Sequence, residues 1–569
     1  MKKLAVLVLL VAVAFAINTK VQTVLPPVED NRTSVGTPPN GTTPAPDYMP
    51  LIGRIEPIMY TSYDWQCNGP MHKAMILDPV ANGIHCYWMW SNFVPATDRN
   101  QRYNFYDFST NTWNWLDGVN VYTERSGFGS MDRDPSTGCA IATTHRGATG
   151  AINMHTARDQ APGAGLFEYG TQLTGFQWPM AAVTNNQAIH VAVLNTVDQD
   201  SLWYARMQPW NTWTTPIRFP TDPSHTPLFP DHNIASSKTS NKVCIMWEMS
   251  EDVGQERAFY RTSTDGGNTW SAADIQLPFP PTTNLTPSYN ISSLFAMYDN
   301  SDNLHFVISV ADTGRTIPAE IWHYCPTNPT PWKLVHYYTA ETLNAAVGYN
   351  AIFATRPTIV QAPTTNNFYV AWEQFDSLNY EPVTTLARAD IYCAELTNNG
   401  QTVTRKGRIT DPNTTSKRFP CVGGVKNDTV FVIYEIDSIA GFENYTQGPA
   451  TRNPVICQRF HRLSLPAGVE ENPSGPIYNF TLNSAYPNPS NANMKISYSV
   501  STTNNVELTI YDVLGRPVRT LVNGTKSAGE YSAIWDGRTN TGEKAQAGIY
   551  FYTLTTPDRS ISRKLIRTY

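Results

Sequence analysis

The chain has 569 residues, of which 41% are hydrophobic, 12% aromatic and only 15% charged. A chain of this length exceeds one compact core, so we expect about two or three folded units. The net charge of −6 and the lack of a basic run argue against nucleic-acid binding through phosphate contacts, and the aromatic-rich composition favours strands over long helices.

The first residues have the layout of a secretory signal peptide. Two lysines precede an apolar run from Leu4 to Phe15, and small residues follow. This predicts a signal peptide over residues 1–16 of a secreted or cell-surface protein, with no transmembrane span after its removal. An uncleaved membrane anchor is the alternative, but the run is short for a span. Residues 17–50 are rich in Pro and Thr and are expected to form a disordered spacer.

Residues 51–466 repeat one theme of short strands joined by turns. Each copy contains an apolar and aromatic second strand, and a turn signal such as Asn82-Gly83 precedes most of them. Helical periodicity is not evident in this region. The second-strand copies are 85–90, 139–142, 190–194, 243–247, 305–308, 368–372 and 430–434.

The copies include a recurring hairpin end, spelled most fully in the stretch 263–270, STDGGNTW. Asp265 can accept hydrogen bonds from neighbouring backbone amides, and the glycines supply positive φ, so the stretch predicts the tip of a β-hairpin. Trp270 is then expected to open the next strand. Weaker echoes end at Trp113, Trp213 and Trp332.

Repeated four-stranded units bury a face only by stacking on a neighbour, and closing the stack into a ring removes most exposed edges. The predicted fold class is therefore all-β, with a seven-bladed β-propeller over residues 51–466. Six blades is the alternative, because the first and last copies are the least regular. Two packed β-sandwiches also absorb this many strands, but do not explain a Trp at one place in the repeat.

The stretch 263–270 matches the S-x-D-x-G-x-T-W pattern called the Asp box and resembles the blade hairpins of sialidase-like β-propellers. The resemblance implies a structural turn on the outer hairpin of a blade, away from the central site. It is specific for architecture and says little about activity. The residues that carry the match are Ser263, Asp265, Gly267, Thr269 and Trp270.

Cysteines and histidines do not form a recognisable metal motif. Several of the eight cysteines fall at equivalent positions of different blades, too far apart for a bridge, so most are predicted to be buried thiols. A bridge between unlike positions, such as one from Cys67 or Cys421, stays open. The acidic turn 198–200 is more typical of a solvated loop than of a Ca²⁺ site. We expect no metal and no cofactor, and core or loop roles for His145, His190, His225, His232 and His305.

The composition changes after residue 466. Residues 467–477 are polar with Pro and Gly and predict a linker, and residues 478–569 contain short alternating strands such as 494–500 and 506–511. About ninety residues with six or seven short strands predict an immunoglobulin-like β-sandwich.

The motifs of residues 478–569 resemble the C-terminal sorting domain of type IX secretion substrates and the similar FlgD-type Ig-like domain. The resemblance implies an export address that engages secretion machinery and has no catalytic residues. The Trp-Asp-Gly turn favours the FlgD-like version, for which structural spacing is the alternative role. The motifs are 486–489 (YPNP), 510–516 (IYDVLGR), 535–538 (WDGR), 547–552 (AGIYFY) and 564–566 (KLI).

Acidic residues recur at one repeat position, directly after three second strands, at Glu248, Glu373 and Glu435. In a ring these positions lie on a circle, so the carboxylates are candidates to face a common funnel, as the paired carboxylates of glycoside hydrolysis do. Crowding would raise at least one pKa and supply a general acid. The alternative, which we favour, is that each Glu pairs with an Arg or caps a loop within its blade.

A sialidase also needs three arginines to clamp a substrate carboxylate. Arg356 and Arg418, each near the start of a first strand, are candidates, with Arg54 or Arg146 as a poor third. The single full Asp box and the missing Arg-Ile-Pro motif depart from active sialidases.

The sequence therefore predicts an exported protein whose propeller is a binding or scaffold module for glycan or an extracellular protein. Aromatic-rich loops suit both kinds of ligand. The alternative is a secreted sialidase-like glycoside hydrolase that uses Glu248, Glu373 or Glu435 with Arg356 and Arg418.

Overall fold

The computed structural model describes residues 52–67, 69–93, 96–147, 152–197, 201–219, 227–249, 257–281, 289–312, 317–340, 343–467, 481–482, 485–500, 504–526, 529–557 and 560–568. The predicted signal peptide and spacer, the acidic turn 198–200, His225 and most of the predicted linker lie outside these ranges. The described residues belong to two compact units, one within 52–467 and one within 481–568. In the described part of the chain, no helix has the length and apolarity needed to cross a membrane.

Short antiparallel strands build the first unit, and its described helical turns are the 3₁₀ turns Glu443–Tyr445 and Arg462–Ser464. In chain order the strands are β1 Arg54–Thr61, β2 Met75–Asp78, β3 Gly83–Trp90, β4 Asn100–Asp107, β5 Thr112–Trp113, β6 Val119–Asn120, β7 Ser126–Arg133, β8 Ala140–Arg146, β9 Asn153–Asp159, β10 Phe167–Tyr169, β11 Leu173–Thr174, β12 Phe176–Val183, β13 Ile189–Asn195, β14 Leu202–Met207, β15 Ile217–Phe219, β16 Pro227–Ser236, β17 Val243–Met249, β18 Arg257–Ser263, β19 Ile275–Gln276, β20 Tyr289–Tyr298, β21 Leu304–Asp312, β22 Ala319–Tyr324, β23 Trp332–Tyr338, β24 Ala354–Gln361, β25 Phe368–Tyr380, β26 Ala387–Thr397, β27 Thr402–Arg408, β28 Ser416–Lys426, β29 Thr429–Asp437 and β30 Asn453–His461.

These strands form seven sheets among the described residues, one for each predicted repeat copy. Sheets 1 to 6 are β2–β6, β7–β11, β12–β15, β16–β19, β20–β23 and β24–β27, and sheet 7 is β28–β30 with β1 as its outer strand. Every predicted second-strand copy falls on the second strand of its sheet, which confirms that part of the prediction.

The sheets close into a ring, and the first unit is a β-propeller. Each first strand contacts the first strand of the next sheet, and β28 contacts β2. Strand β1 pairs antiparallel with β30 from Arg54↔Arg459 to Thr61↔Asn453, so the two ends of the unit complete one sheet. Closure leaves few unpaired edges, which suits a fold built from strands this short.

Stacking of the sheets explains why second strands are apolar on both faces. All seven residues of β17 are buried, and Trp88, Trp247 and Trp372 lie fully buried at matching positions of three second strands. A strand that is covered on both sides is expected to lose the alternation of polar and apolar residues. The hydrophobic core therefore lies between the sheets rather than at one centre.

Buried histidines on three second strands cross-link their sheets. In each case one ring nitrogen meets a residue just after or at the end of the first strand, and the other meets the third strand. The first contacts are His85–Asp78 at 3.3 Å, His190–Thr184 at 2.9 Å and His305–Asp299 at 3.3 Å, and the second are His85–Tyr103 at 2.7 Å, His190–Tyr204 at 2.8 Å and His305–His323 at 2.9 Å.

The turn 263–270 joins β18 to β19 and is held by the carboxylate of Asp265. Its Oδ1 accepts from the backbone N–H of Asn268 at 3.1 Å and of Thr269 at 2.9 Å, and its Oδ2 accepts from the Thr269 hydroxyl at 2.6 Å. The Thr269 hydrogen bonds lower the pKa of Asp265 to about 2. The segment is thus a hairpin tip stabilised by an ionised aspartate.

The prediction that Trp270 opens the next strand is wrong, because that strand begins at Ile275. The Trp270 ring instead packs on sheet 3, with ring centroids 4.7 Å from Tyr204 and 5.2 Å from Phe219. Gly267 has φ of +77°, and a Cβ there would lie 1.7 Å from the Tyr204 hydroxyl. The turn therefore docks one blade on the preceding one.

All eight cysteines are free and buried, which agrees with the prediction of buried thiols. Cys67 and Cys421, for which a bridge was left open, are not bridged. The described residues contain no group of three or more His, Cys, Asp or Glu side chains placed to hold a metal ion.

The second unit is a two-sheet β-sandwich around Trp535, Leu508 and Tyr552. Its sheets have the strand orders β31-β32-β35 and β34-β33-β36-β37, and the predicted immunoglobulin-like sandwich is confirmed. The strands are β31 Thr481–Leu482, β32 Met494–Val500, β33 Asn504–Asp512, β34 Pro517–Lys526, β35 Gly529–Trp535, β36 Gly548–Thr555 and β37 Ser560–Arg567.

Candidate functional site

The first strands of the propeller begin at one end of its central channel, here called the upper mouth, and finish at the other, the lower mouth. Four of them lose their regular register near the start, at a residue with positive φ. These residues are Phe128 (48°), Trp178 (49°), Arg356 (52°) and Phe419 (59°). A β-bulge re-aims the side chain that it carries, and bulges recur beside functional sites. The upper mouth is therefore lined by side chains that a regular strand would not place there.

A segment of the chain occupies the channel itself. This central segment, residues 62–74, connects β1 to β2, and its described side chains are mostly buried although it forms no strand. The backbone carbonyl of Met71 accepts from Asn233 of sheet 4 at 3.1 Å, and Lys73 donates to Asp132 of sheet 2 at 3.0 Å. The segment thus bridges sheets across the ring.

The fit of the central segment is close. A Cβ on Gly69 would lie 1.6 Å from the Asp231 carboxylate of sheet 4. The cavity left beside the segment, between Cys67, Phe128 and Trp178, has about 20 Å³. A single water needs roughly 10 to 15 Å³, so this cavity has room for about one water and not for a sugar.

The structure brings three of the five predicted site residues together at the upper mouth. Glu373 lies between Arg356, whose Nη1 is 2.5 Å from Oε1, and Arg418, whose Nε is 3.1 Å from Oε2. The backbone N–H of Phe419 donates to the same Oε2 at 2.8 Å. Burial raises the pKa of Glu373, but Arg418 and Arg356 outweigh burial and hold it below the ordinary value. This carboxylate is therefore ionised and fully paired inside the protein.

Glu435 is in a different state at the equivalent position of the next sheet. It accepts hydrogen bonds from Gln66 at 3.2 Å, Trp88 at 3.2 Å and Asn453 at 2.8 Å. Burial, with the negative charges of nearby aspartates, raises the pKa of Glu435 well above the ordinary value. Three N–H donors hold this carboxyl group in place, and through Gln66 it anchors the central segment.

The remaining candidates do not join this group. Glu248 is buried on β17 of sheet 4, and sheet 5 separates it from the sheets of Glu373 and Glu435. Arg54 is on the outer strand β1, where its side chain is 69% exposed and pairs with Glu56. Arg146 pairs with Glu124. Of the four arginines that the sequence suggested, two therefore meet Glu373, and Arg54 and Arg146 do not.

Two aspartates at the upper mouth have pKa values near neutrality. Burial and the adjacent Asp437 raise the pKa of Asp64 to about 8, against a hydrogen bond from the Glu443 backbone N–H at 2.8 Å. Burial raises the pKa of Asp437 to about 6, although Ile439 and Thr451 donate to it. Both carboxyl groups therefore change charge at pH values close to neutrality.

Above Asp64 lies an aromatic shelf formed by Tyr349 and Tyr445. Their rings stack with centroids 4.0 Å apart and an angle of 20°, and the two residues are 44% and 38% exposed. Buried Trp65 supports both, at 4.6 Å from Tyr445 and 5.6 Å from Tyr349, and Phe442 meets Trp65 edge-on at 4.5 Å. Two exposed rings held on a buried one form a surface suited to a flat, partly apolar ligand.

Sequence reasoning missed this shelf because tyrosines are too numerous to single out. One signal was present in the spacing. Tyr349 and Tyr445 lie in the connections 339–353 and 438–452, which are long for links between neighbouring strands. Long connections in a compact fold often carry function.

A family model matches part of the second unit. Residues 488–560 match the model of the FlgD Ig-like domain. No curated protein matches the chain.

Several solved structures are similar in fold to this chain. A polysaccharide lyase of family PL25, an ulvan lyase, is 9% identical with a TM-score of 0.47, covering 72% of this chain and 96% of its own. The Hadza microbial sialidase Hz136 is 13% identical with a TM-score of 0.34, covering 64% and 74%. An exo-β-1,3-galactanase from Clostridium thermocellum is 8% identical with a TM-score of 0.30, covering 71% and 99%. Scores at this level carry no argument about activity.

The different states of the two glutamates predict different effects of the same substitution. Glu373→Gln leaves two buried guanidinium groups without their counter-charge and is expected to lower the free energy of unfolding by about 3–5 kcal/mol. Glu435→Gln leaves no guanidinium group without its counter-charge and is expected to cost less, about 1–3 kcal/mol, because the new amide N–H₂ faces an N–H donor that the carboxyl group now accepts. Denaturant unfolding at pH 7 measures both. Equal losses would contradict the ion pairs assigned to Glu373.

The raised pKa of Asp64 predicts a pH-dependent stability. Its folded-state value of about 8 exceeds the roughly 3.9 of an unfolded chain, so the folded protein holds a proton that the unfolded chain releases. The contribution of Asp64 to the free energy of unfolding therefore falls as pH rises from about 4 to about 8. Asp64→Asn removes it, so the melting temperature of the variant should rise relative to the parent across this window. Asp428→Asn, at a half-buried position whose carboxylate pairs with Arg462, is the control. Parallel pH profiles for Asp64→Asn and the parent would refute the assignment.

Proposed function

We propose that the propeller is a binding module that takes a glycan on the aromatic shelf at its upper mouth. The observation that carries this proposal is the exposed, stacked pair Tyr349 and Tyr445 over buried Trp65. The faces of sugar rings carry C–H groups that pack on aromatic rings, while the tyrosine hydroxyls remain able to hydrogen-bond. An extracellular protein with exposed apolar groups is the alternative ligand.

The shelf is preorganised, which favours binding without loss of loop entropy. The backbone N–H of Tyr349 donates to Gln447 at 3.2 Å, and that of Gln447 donates to Phe442 at 3.0 Å. Thr446 closes the 3₁₀ turn of Tyr445 in the left-handed conformation, with φ of 56°. Both tyrosines are therefore fixed to one loop framework.

Binding is favoured over hydrolysis by the predicted catalytic residues because these residues are committed to structure. Arg356 and Glu373 are fully buried and paired with each other, and Glu435 holds the central segment. A general acid must come within hydrogen-bond reach of the substrate. The filled channel keeps a sugar away from these carboxylates.

One observation favours hydrolysis as a second candidate function. Asp64 and Asp437, with pKa values of about 8 and about 6, provide an acid and a base at neutral pH. Asp64 accepts from Glu443, two positions from Tyr445 of the shelf. A glycan on the shelf would lie above this pair, but both aspartates are only 4% exposed, so hydrolysis would also require the loop that carries Tyr445 to move.

Glycan-array binding tests the proposed site. Tyr349→Ala and Tyr445→Ala should each weaken binding of the best glycan by about tenfold or more, since each removes a central aromatic contact. Tyr169→Ala is the matched control, because Tyr169 is 47% exposed on the outer strand of sheet 2. The affinity of the Tyr169→Ala variant for this glycan should equal that of the parent. Binding that survives both shelf substitutions would disprove the site.

Turnover of fluorogenic glycosides separates the two functions. If the propeller is a binding module, the parent chain should show no turnover of these glycosides. Turnover that Asp64→Asn abolishes while glycan binding persists would establish the second candidate in place of the first.

The proposal extends to the layout of the chain. A signal peptide over 1–16 and a spacer over 17–50 would precede the propeller of 51–466, and a linker over 467–477 would lead to a sorting domain over 478–569. The similarity of residues 488–560 to the FlgD Ig-like domain supports the proposed fold of the last domain and not its role in sorting.

Deletion of residues 478–569 tests the sorting role. The truncated chain should be absent from the cell surface and the medium of the native host, because its export address is gone. Immunoblotting of cell fractions with an antibody to the propeller measures this. Surface display equal to that of the full chain would leave the domain a structural spacer.

A further inference from the structure

The lower mouth contains a second cavity, separate from the aromatic shelf. It has a volume of about 260 Å³ and lies among the ends of six first strands. Its apolar wall includes the half-buried side chains of Leu77, Met297 and Val360. Exposed Pro79, Asn300 and Pro363 also line it, so the cavity opens to solvent between sheets 1, 5 and 6.

A charged group forms one side of this cavity. Lys73, at the end of the central segment, and Lys238, just after β16, both donate to Oδ2 of Asp132, at 3.0 and 2.7 Å. The Asp132 side chain is only 2% exposed, and the lysine side chains are 18% and 28% exposed. The two ammonium groups thus hold the buried carboxylate between them and still reach the cavity.

The charged side chains on this side of the cavity carry more positive than negative charge. Arg133 also lines the cavity and is 3.4 Å from the buried carboxylate of Asp78, so three cations face two carboxylates. Burial lowers the pKa of Lys238 to about 7, in spite of Asp132, and the charges of Lys73 and Arg133 lower it further. An anion in the cavity would relieve this repulsion and favour the charged form of Lys238.

The two lysines differ in how many of their ammonium N–H donors are already hydrogen-bonded. Lys238 donates to Asp132, to the Val183 carbonyl at 2.6 Å and to Ser236 at 3.4 Å. Lys73 has Asp132 and a long contact of 3.5 Å to the Ala181 carbonyl. An ammonium group has three donors, so Lys73 has an N–H available for an oxygen of a ligand.

We propose that the lower-mouth cavity binds a small amphiphilic carboxylate, whose carboxylate meets Lys73 and Lys238 while its apolar body packs on Leu77, Met297 and Val360. The charge surplus selects an anion, and the apolar wall selects against a fully polar one such as phosphate. A charge-assisted hydrogen bond from a lysine is stronger than a neutral one. The volume is below the roughly 300 to 1,000 Å³ of sites for drug-sized ligands, so the ligand is smaller than these.

This site is independent of the glycan site. The central segment fills the channel between the two mouths, and the cavity beside it has only about 20 Å³. Substitutions of the aromatic shelf therefore leave the lower cavity intact, and the two proposals stand or fall separately.

Isothermal titration of the full chain with octanoate tests the proposal, with octanol and octylammonium as probes of equal chain length. We expect octanoate to bind about tenfold or more tightly than octanol, and octylammonium to bind more weakly than either, because only the carboxylate complements the lysines. Near pH 7 octanoate binding should also take up protons, seen as a dependence of the heat on buffer ionisation enthalpy. These measurements need no variant to fold.

Variants locate the binding. Lys73→Met and Lys238→Met should each weaken octanoate binding by about tenfold and leave octanol unchanged, and Met297→Trp should weaken both by filling the cavity. Lys242→Met is the matched control, because Lys242 faces Asp302 and does not line the cavity. Absence of octanoate binding, equal affinity for octanol, or octanoate binding that survives both Lys238→Met and Met297→Trp would overturn the proposal.

Discussion

The burial of residues 62–74 inside the ring is the constraint on which the other features of the propeller depend. A closed ring of sheets leaves a channel, and here the chain's own backbone fills it. A buried backbone outside secondary structure must find partners for its polar groups. Asn233 provides one for Met71, and Gln66 satisfies the backbone of Met89 in return. The segment is therefore held by several sheets at once rather than by its neighbours in sequence.

This arrangement explains the roles of the repeated glutamates. Burial and nearby aspartates raise the pKa of Glu435, which holds the central segment through Gln66, whereas Arg418 and Arg356 lower the pKa of Glu373. Their strand positions are equivalent, but their surroundings differ. The filled channel also divides the two mouths, so the aromatic shelf and the lysine-lined cavity are separate surfaces on one rigid ring.

Patterns that span a few neighbouring residues predicted the propeller. The candidate site depends instead on contacts between residues that are far apart in the sequence. Second strands such as β17 and β25 were recognisable because stacking on both sides requires continuous apolar residues. The turn at Asp265 was recognisable because its hydrogen bonds span a few residues. Gln66 and Glu435 are separated by 369 positions, and the central segment has no periodic pattern. Its place in the channel therefore could not be read from the sequence.

Arg356 illustrates the same limit of sequence reasoning. It was placed correctly near the start of a first strand, and Pro357 marks an irregularity there, but its pairing with Glu373 depends on a bulge with a φ of 52°, and the local sequence does not show where that bulge directs the side chain. The shelf likewise needs loops of sheets 5 to 7 and the central segment to meet. Two tyrosines that converge from separate loops leave only the length of those loops as a signal in the sequence.

Hydrogen–deuterium exchange of the full chain tests the filled channel most directly. If residues 62–74 lie in the ring as described, their amides should exchange as slowly as those of β24 and β28, since opening them requires the sheets to separate. Exchange of this segment within seconds, while β24 and β28 stay protected, would show an open channel and contradict the account of both mouths.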